Sequence, residues 1–196
     1  MNRKLTSNQK ILVIGLFGLL FVGIIMVEGQ DYAPVDKLFY PTGSLGDVSD
    51  ISIDEASIDS ERGNCIRIDY RRPTSNANNF AIILWQYPKN NWGEDPDGRD
   101  LTGAKRISFF ARGKEGSEWA NFMVGGMGGT YRDSLYPAIR KGVQKGLSKK
   151  WTKYEIPLEG ENLSHIITGF GAVIMVPSDD NSASWTIYLD DIQFEY

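Results

Sequence analysis

The chain has 196 residues, 41% of them apolar and 23% charged, with a net charge of −4. These proportions fit one ordinary globular domain, exclude wholesale disorder, and argue against nucleic acid as the partner. One Cys and one His exclude an intramolecular disulfide, a cysteine-based zinc cluster and a His-rich metal site.

Residues 1–29 differ from the rest. Arg3, Lys4 and Lys10 precede a run from Ile11 to Val27 without a charged side chain, and Glu28 ends it. As a helix this run is roughly 25 Å long, near the lower limit for crossing hydrocarbon. The basic flank predicts that whatever follows stands outside the cytoplasm. The segment is expected to be a single-pass membrane anchor, with cleavage near Gly29 and secretion as the alternative. Residues 30–38 read as a short spacer and 39–196 as one domain. The part after residue 29, lacking Arg3, Lys4, Lys10 and Glu28, carries −6.

Downstream the chain reads as strands and turns. Asp50 to Asp54 alternates polar and aliphatic residues. Cys65 to Tyr70 does the same, with Ile66 and Ile68 on one face and Arg67 and Asp69 on the other. Cys65 is expected as small core filler, an intermolecular disulfide being the lesser reading. Phe80 to Tyr87 is a more continuous apolar run, as expected for a strand covered on both sides. Lys105 to Arg112 and Trp119 to Gly125 flank the turn Gly113 to Gly116, and Trp151 to Ile156, Gly169 to Val176 and Trp185 to Phe194 complete the set. Leu135 to Leu147 comes nearest to a helix, but Pro137, Gly142 and Gly146 interrupt it. Regularly spaced strands without an amphipathic helix predict an all-β, two-sheet antiparallel β-sandwich behind one N-terminal hydrophobic helix.

Charge is uneven along the chain. Between Asp31 and Glu61 acids dominate, which reads as a solvated face or a hard-cation site. Between Arg140 and Lys153 only basic residues occur, which reads as a solvated face or as attraction to an anionic polymer or membrane surface.

Several aromatic residues are candidates for ligand contact. Trp85 and Tyr87 lie two apart and share one strand face, offering ring planes to a ligand if that face is open and forming core if it is not. Trp92 sits in the turn-like Asn90-Asn91-Trp92-Gly93, and Tyr131 and Tyr136 flank Asp133, an acceptor for sugar hydroxyls. Arg112 offers a planar donor fork or a structural salt bridge. Trp151 is expected in the core. His165 lies at a turn-to-strand junction, and neither Ser134 nor Ser164 has the context of a nucleophile elbow. No segment places an acid in an apolar pocket, so the chain is not expected to be an enzyme.

An ordered series of motifs carries a resemblance. It runs through Trp85-Gln86-Tyr87-Pro88, Asn90-Asn91-Trp92-Gly93, Asp100-Leu101-Thr102-Gly103, Phe109-Phe110-Ala111-Arg112-Gly113, Trp151-Thr152-Lys153-Tyr154 and Tyr188-Leu189-Asp190-Asp191-Ile192. From about Phe39 to Tyr196 the chain resembles the β-jelly-roll modules of the galactose-binding-like fold, close to carbohydrate-binding modules of family eleven and their secreted relatives. The resemblance implies a structural calcium joining the last strand to an N-terminal loop. Asp190 and Asp191 match the acid pair, and Asp47, beside Gly46, is the expected third ligand. The function so implied is non-catalytic binding of a polysaccharide or glycoconjugate outside the cytoplasm. Trp92, Tyr131, Asp133, Trp85, Tyr87 and Arg112 are the expected contacts. The alternative is a structural or protein-interaction domain of a cell-envelope assembly that binds no sugar.

Overall fold

A strand with apolar side chains at every second position hides one face, and two such sheets bury their apolar faces against each other. The computed structural model describes residues 32–72, 78–142, 146–176 and 184–196. The expected N-terminal helix and its cleavage site lie outside the described residues. Among the described residues, no helix is long and apolar enough to cross a membrane.

The elements are β1 (Tyr32–Pro34), α1 (Val35–Leu38), β2 (Tyr40–Gly46), β3 (Ile51–Asp59), β4 (Gly63–Arg71), β5 (Phe80–Gln86), β6 (Arg106–Gly113), β7 (Trp119–Val124), β8 (Ile139–Gly142), β9 (Thr152–Pro157), β10 (Thr168–Met175) and β11 (Ser184–Glu195). One sheet runs β3-β4-β11-β6-β9, with β1 also pairing β11, and the other runs β2-β5-β10-β7-β8. The pairings are antiparallel. The all-β sandwich expected from the alternation is the observed architecture.

Aromatic rings join the sheets. Phe109 of β6 lies 4.6 Å from Phe122 of β7 and 5.1 Å from Phe170 of β10, with Trp85 edge-on to Phe170 at 5.4 Å. Burying each such side chain stabilises the fold by about 1.5–3 kcal/mol.

Three segments differ from the sequence reading. Tyr32 to Leu38, placed in the spacer, instead pairs with β11 as β1 and buries Val35 through α1. Tyr40 to Gly46, for which the sequence offered no strand, forms edge strand β2, and the interrupted helical stretch from Leu135 contains edge strand β8. Edge strands need no strict alternation, because only part of one face is buried.

Candidate functional site

The second sheet has an unusual outer face. Ala81, Ile83 and Trp85 of β5 enter the core, so Ile82, Leu84 and Gln86 point outward. Residues directly opposite one another in an antiparallel pair share a face. The register therefore sets out the rows Gly43, Leu84, Gly171, Met123 and Arg140, then Leu45, Ile82, Val173 and Asn121, then Phe80, Met175 and Trp119. Leu84, Met123, Met127, Ile167 and Val173 form a buried cluster here, separate from the core between the sheets. Gly171 permits it: a Cβ at that position would stand 2.7 Å from Met123 Cγ and 3.0 Å from Leu84 Cδ2. Met127 and Ala138 come from segment 125–138, which packs onto this end of the face. Away from it Leu45, Met175 and Trp119 are exposed.

Segments 87–98 and 125–138, at the same end of the sheet, are tied to it and to each other by polar side chains. Gln86 Nε2 donates to the Asn91 carbonyl at 2.8 Å. The buried Asn91 side chain accepts from the amides of Gly93 and Asp95 and donates to the carbonyls of Asp95 and Asp97. Gly93 has φ +87°, and a Cβ there would sit 1.8 Å from the Gly128 carbonyl oxygen, so glycine is required. The Tyr131 amide donates to the Gly93 carbonyl at 2.8 Å, and the Thr130 hydroxyl to Glu94 at 3.0 Å. Asp133, fully buried, accepts from the amides of Met127 at 2.7 Å, Thr168 at 3.2 Å and Ile167. Burial pushes its carboxyl above the usual carboxylate range, against the pull of those three amides. The outcome is that Trp92, Tyr131 and Tyr136 are held 39%, 44% and 55% exposed on anchored loops. The Arg132 guanidinium lies 5.9 Å from the Tyr136 ring.

Of the expected contacts, the structure gathers Trp92 and Tyr131 at this end and excludes others. Trp85 is 1% exposed and belongs to the core, because odd positions of β5 face inward. Tyr87 is half-buried, its ring covered by the Arg99 guanidinium at 3.6 Å. Asp133 has no open face and organises backbone. Arg112 stands on the outside of the other sheet, bonded to Asp59 at 2.7 Å. Asn91, Gln86 and Trp119 were missed. Trp119, Asn121 and Met123 alternate with Ala120, Phe122 and Val124, and with both sets largely apolar, parity did not say which faced outward.

The outer face of the first sheet carries a dense network of paired charges. Asp59 accepts from Arg112, from Trp151 Nε1 at 3.0 Å, and from the Glu61 and Arg62 amides. Burial alone would raise its carboxyl, but the Trp151 indole, these amides and Arg112 hold it down to about 2. The Arg112 guanidinium lies 3.9 Å from the Tyr188 ring, and that of Arg62 lies 3.9 Å from Phe110. Trp151, expected in the core, is half-buried on this face. Glu195 accepts from Arg106 and Ser108, with Lys153 at 3.4 Å. The Cys65 thiol is buried, and burial, with the charges of Asp59 and Asp190, pushes its pKa up.

The expected calcium ligands do not converge. Asp190 and Asp191 are both paired with Arg62. Asp47 accepts from the Tyr70 hydroxyl at 2.6 Å and from the Asn78 amide and side chain at 2.9 Å. Among the described residues, no group of three or more His, Cys, Asp or Glu side chains is placed to hold a metal ion. As arranged, these three residues do not fit a hard-cation site.

No protein-family model matches the sequence, and none of the curated proteins matches it. Solved structures do. The fold is similar to a family 30 carbohydrate-binding module at 13% identity, covering 84% of this chain and 98% of that one, with a TM-score of 0.52. It is also similar to the family 11 carbohydrate-binding module of cellulosomal cellulase Lic26A-Cel5E of Clostridium thermocellum, at 16% identity, 85% and 94% coverage and a TM-score of 0.49. At these identities the likeness is one of fold. Both are carbohydrate-binding modules, and the two-sheet β-sandwich is the fold that the motif series implied.

Proposed function

We propose that the domain is a non-catalytic carbohydrate-binding module that takes an extended polysaccharide on the outer face of its second sheet. The observation that carries this reading is the presentation of Trp92 and Tyr131, solvent-exposed rings on two loops fixed by Asn91, Gly93 and Asp133. A rigid exposed ring offers a large apolar plane for pyranose C–H faces at small entropic cost. The face continues along β5 and β10 towards Trp119, roughly 20 Å at about 3.3 Å per residue, which suits a chain of sugars. The fold shared with a family 30 carbohydrate-binding module supports the reading. On this proposal residues 1–29 hold the domain outside the cytoplasm, as their charge and hydropathy predict.

The test is affinity electrophoresis of the full chain in gels containing β-glucans and acidic polysaccharides, beside Trp92→Ala and Tyr131→Ala. Retardation of the parent, reduced about tenfold in apparent affinity in each variant, is the expected result, since losing one ring stack costs on the order of 1 kcal/mol or more. A second reading rests on Leu45, Ile82 and Val173 of one row and Met175 of the next, an apolar patch in which Asn121 is the one polar side chain of its row. Such a surface suits a protein partner of an envelope assembly, and that reading gains if no polysaccharide retards the chain.

A further inference from the structure

We propose that the polysaccharide is anionic, its carboxylate or sulfate groups received by Arg132 and Arg140; this rests on the sugar-binding reading above and names its substrate class. Arg140 lies opposite Met123 in the β7–β8 pair, so it shares the outward side of the second sheet and is exposed there. Arg132 adjoins Tyr131, and its guanidinium stands by the Tyr136 ring. Among the described residues neither arginine is within ion-pair distance of a carboxylate. Arg62, Arg67, Arg106 and Arg112 on the first sheet are each so paired.

The local charge is one-sided for an identifiable reason. Between Gly125 and Gly142 the sole acid is Asp133, and its carboxylate is buried and occupied by backbone amides. Arg132, Arg140 and Lys141 are exposed without a counter-charge from their own segment. On the facing loop, Glu94 accepts from the Thr130 hydroxyl and Asp95 from the Asp97 amide. A guanidinium presents a planar fork that matches carboxylate and sulfate oxygens in pairs, which a neutral glucan cannot use. One exposed ion pair contributes about 0–1 kcal/mol, but a polymer repeating the charge along the face engages both arginines at once. With a net chain charge of −4, the attraction is local, and salt weakens it.

The experiment compares retardation of the full chain by polygalacturonate, a sulfated galactan and a neutral β-glucan at rising sodium chloride, beside Arg132→Ala/Arg140→Ala and Trp92→Ala. The account expects one of the two acidic polymers to retard the parent at least about tenfold more strongly than the neutral one. That preference disappears in the double arginine variant and weakens from about 0.05 to 0.5 M salt. The melting temperature of the double variant stays within about 2 °C, as befits exposed substitutions. Whether polygalacturonate or the galactan is preferred assigns carboxylate or sulfate. Equal retardation by the neutral glucan, still weakened in Trp92→Ala and unchanged in the arginine variant, overturns the anionic assignment while leaving sugar binding intact. No retardation by any polymer overturns both.

Discussion

The two outer faces of this sandwich spend their side chains differently. On the first sheet the arginines are answered: Arg112 by Asp59, Arg62 by Asp190 and Asp191, Arg106 by Glu195, with guanidinium groups laid over Tyr188 and Phe110. On the second sheet the buried Asn91 and Asp133 serve the backbone, and the groups facing solvent include rings, aliphatic side chains and, among the described residues, Arg132 and Arg140 with no carboxylate in ion-pair distance. A face whose donors and acceptors are satisfied internally has little to offer a ligand. A face whose polar residues are used to fix loops, leaving rings exposed, is arranged for contact. Carboxylates alone do not mark a site, because their partners decide what they do.

The comparison is most severely tested at Asp133. Asp133→Ala leaves three buried amides without an acceptor and should cost about 3 kcal/mol in urea unfolding, since each orphaned buried group costs about 1–3 kcal/mol before relaxation. Binding should fall with it as the Trp92 and Tyr131 loops lose their tie. A change below about 0.5 kcal/mol would mean that the carboxylate is not what holds this end together.

Asp59→Asn probes the other face and should cost about 1–3 kcal/mol through its bonds to Arg112 and Trp151, with polysaccharide binding unchanged. Its pH signature has a defined sign. The folded carboxyl titrates at about 2 instead of 3.8, so its contribution is present above pH 4 and is lost as pH falls through about 2. Urea unfolding of the parent should therefore show stability falling between about pH 4 and 2, and the Asn variant should show a shallower fall. An identical pH profile in both proteins would contradict the assigned network.

The smallest effect concerns calcium. With Asp190 and Asp191 neutralised by Arg62 and Asp47 bonded to Tyr70 and Asn78, a chelator should shift the melting temperature by less than about 1 °C. A bound ion at a hundred times its Kd would contribute about 2.7 kcal/mol, a shift large enough to see.

Period-two alternation made most strands legible, because β6 buries one face completely and β4 and β11 bury most of one. β2 and β8, at the sheet edges, bury too little for a pattern to form, and the Gly and Pro residues in or beside them break up what alternation there is. The loop aromatics Trp92 and Tyr131 were legible because turn residues surround them. Trp85 and Trp151 were ambiguous because an aromatic ring reads the same in a core, on a ligand face or over an arginine. The fate of Asp190 and Asp191 depended on Arg62, more than a hundred residues earlier in the chain, and no local pattern encodes such a pairing.

The central claim, that fixed rings on the second sheet's end take a polysaccharide, is tested most directly by affinity electrophoresis of the parent chain, Trp92→Ala and Asp59→Asn in parallel. Retardation is expected of the parent and of Asp59→Asn, weakened about tenfold in Trp92→Ala, whose stability stays within about 0.5 kcal/mol of the parent. Retardation unchanged in Trp92→Ala, or abolished in Asp59→Asn while that variant remains folded, would place the binding face on the other sheet and contradict it.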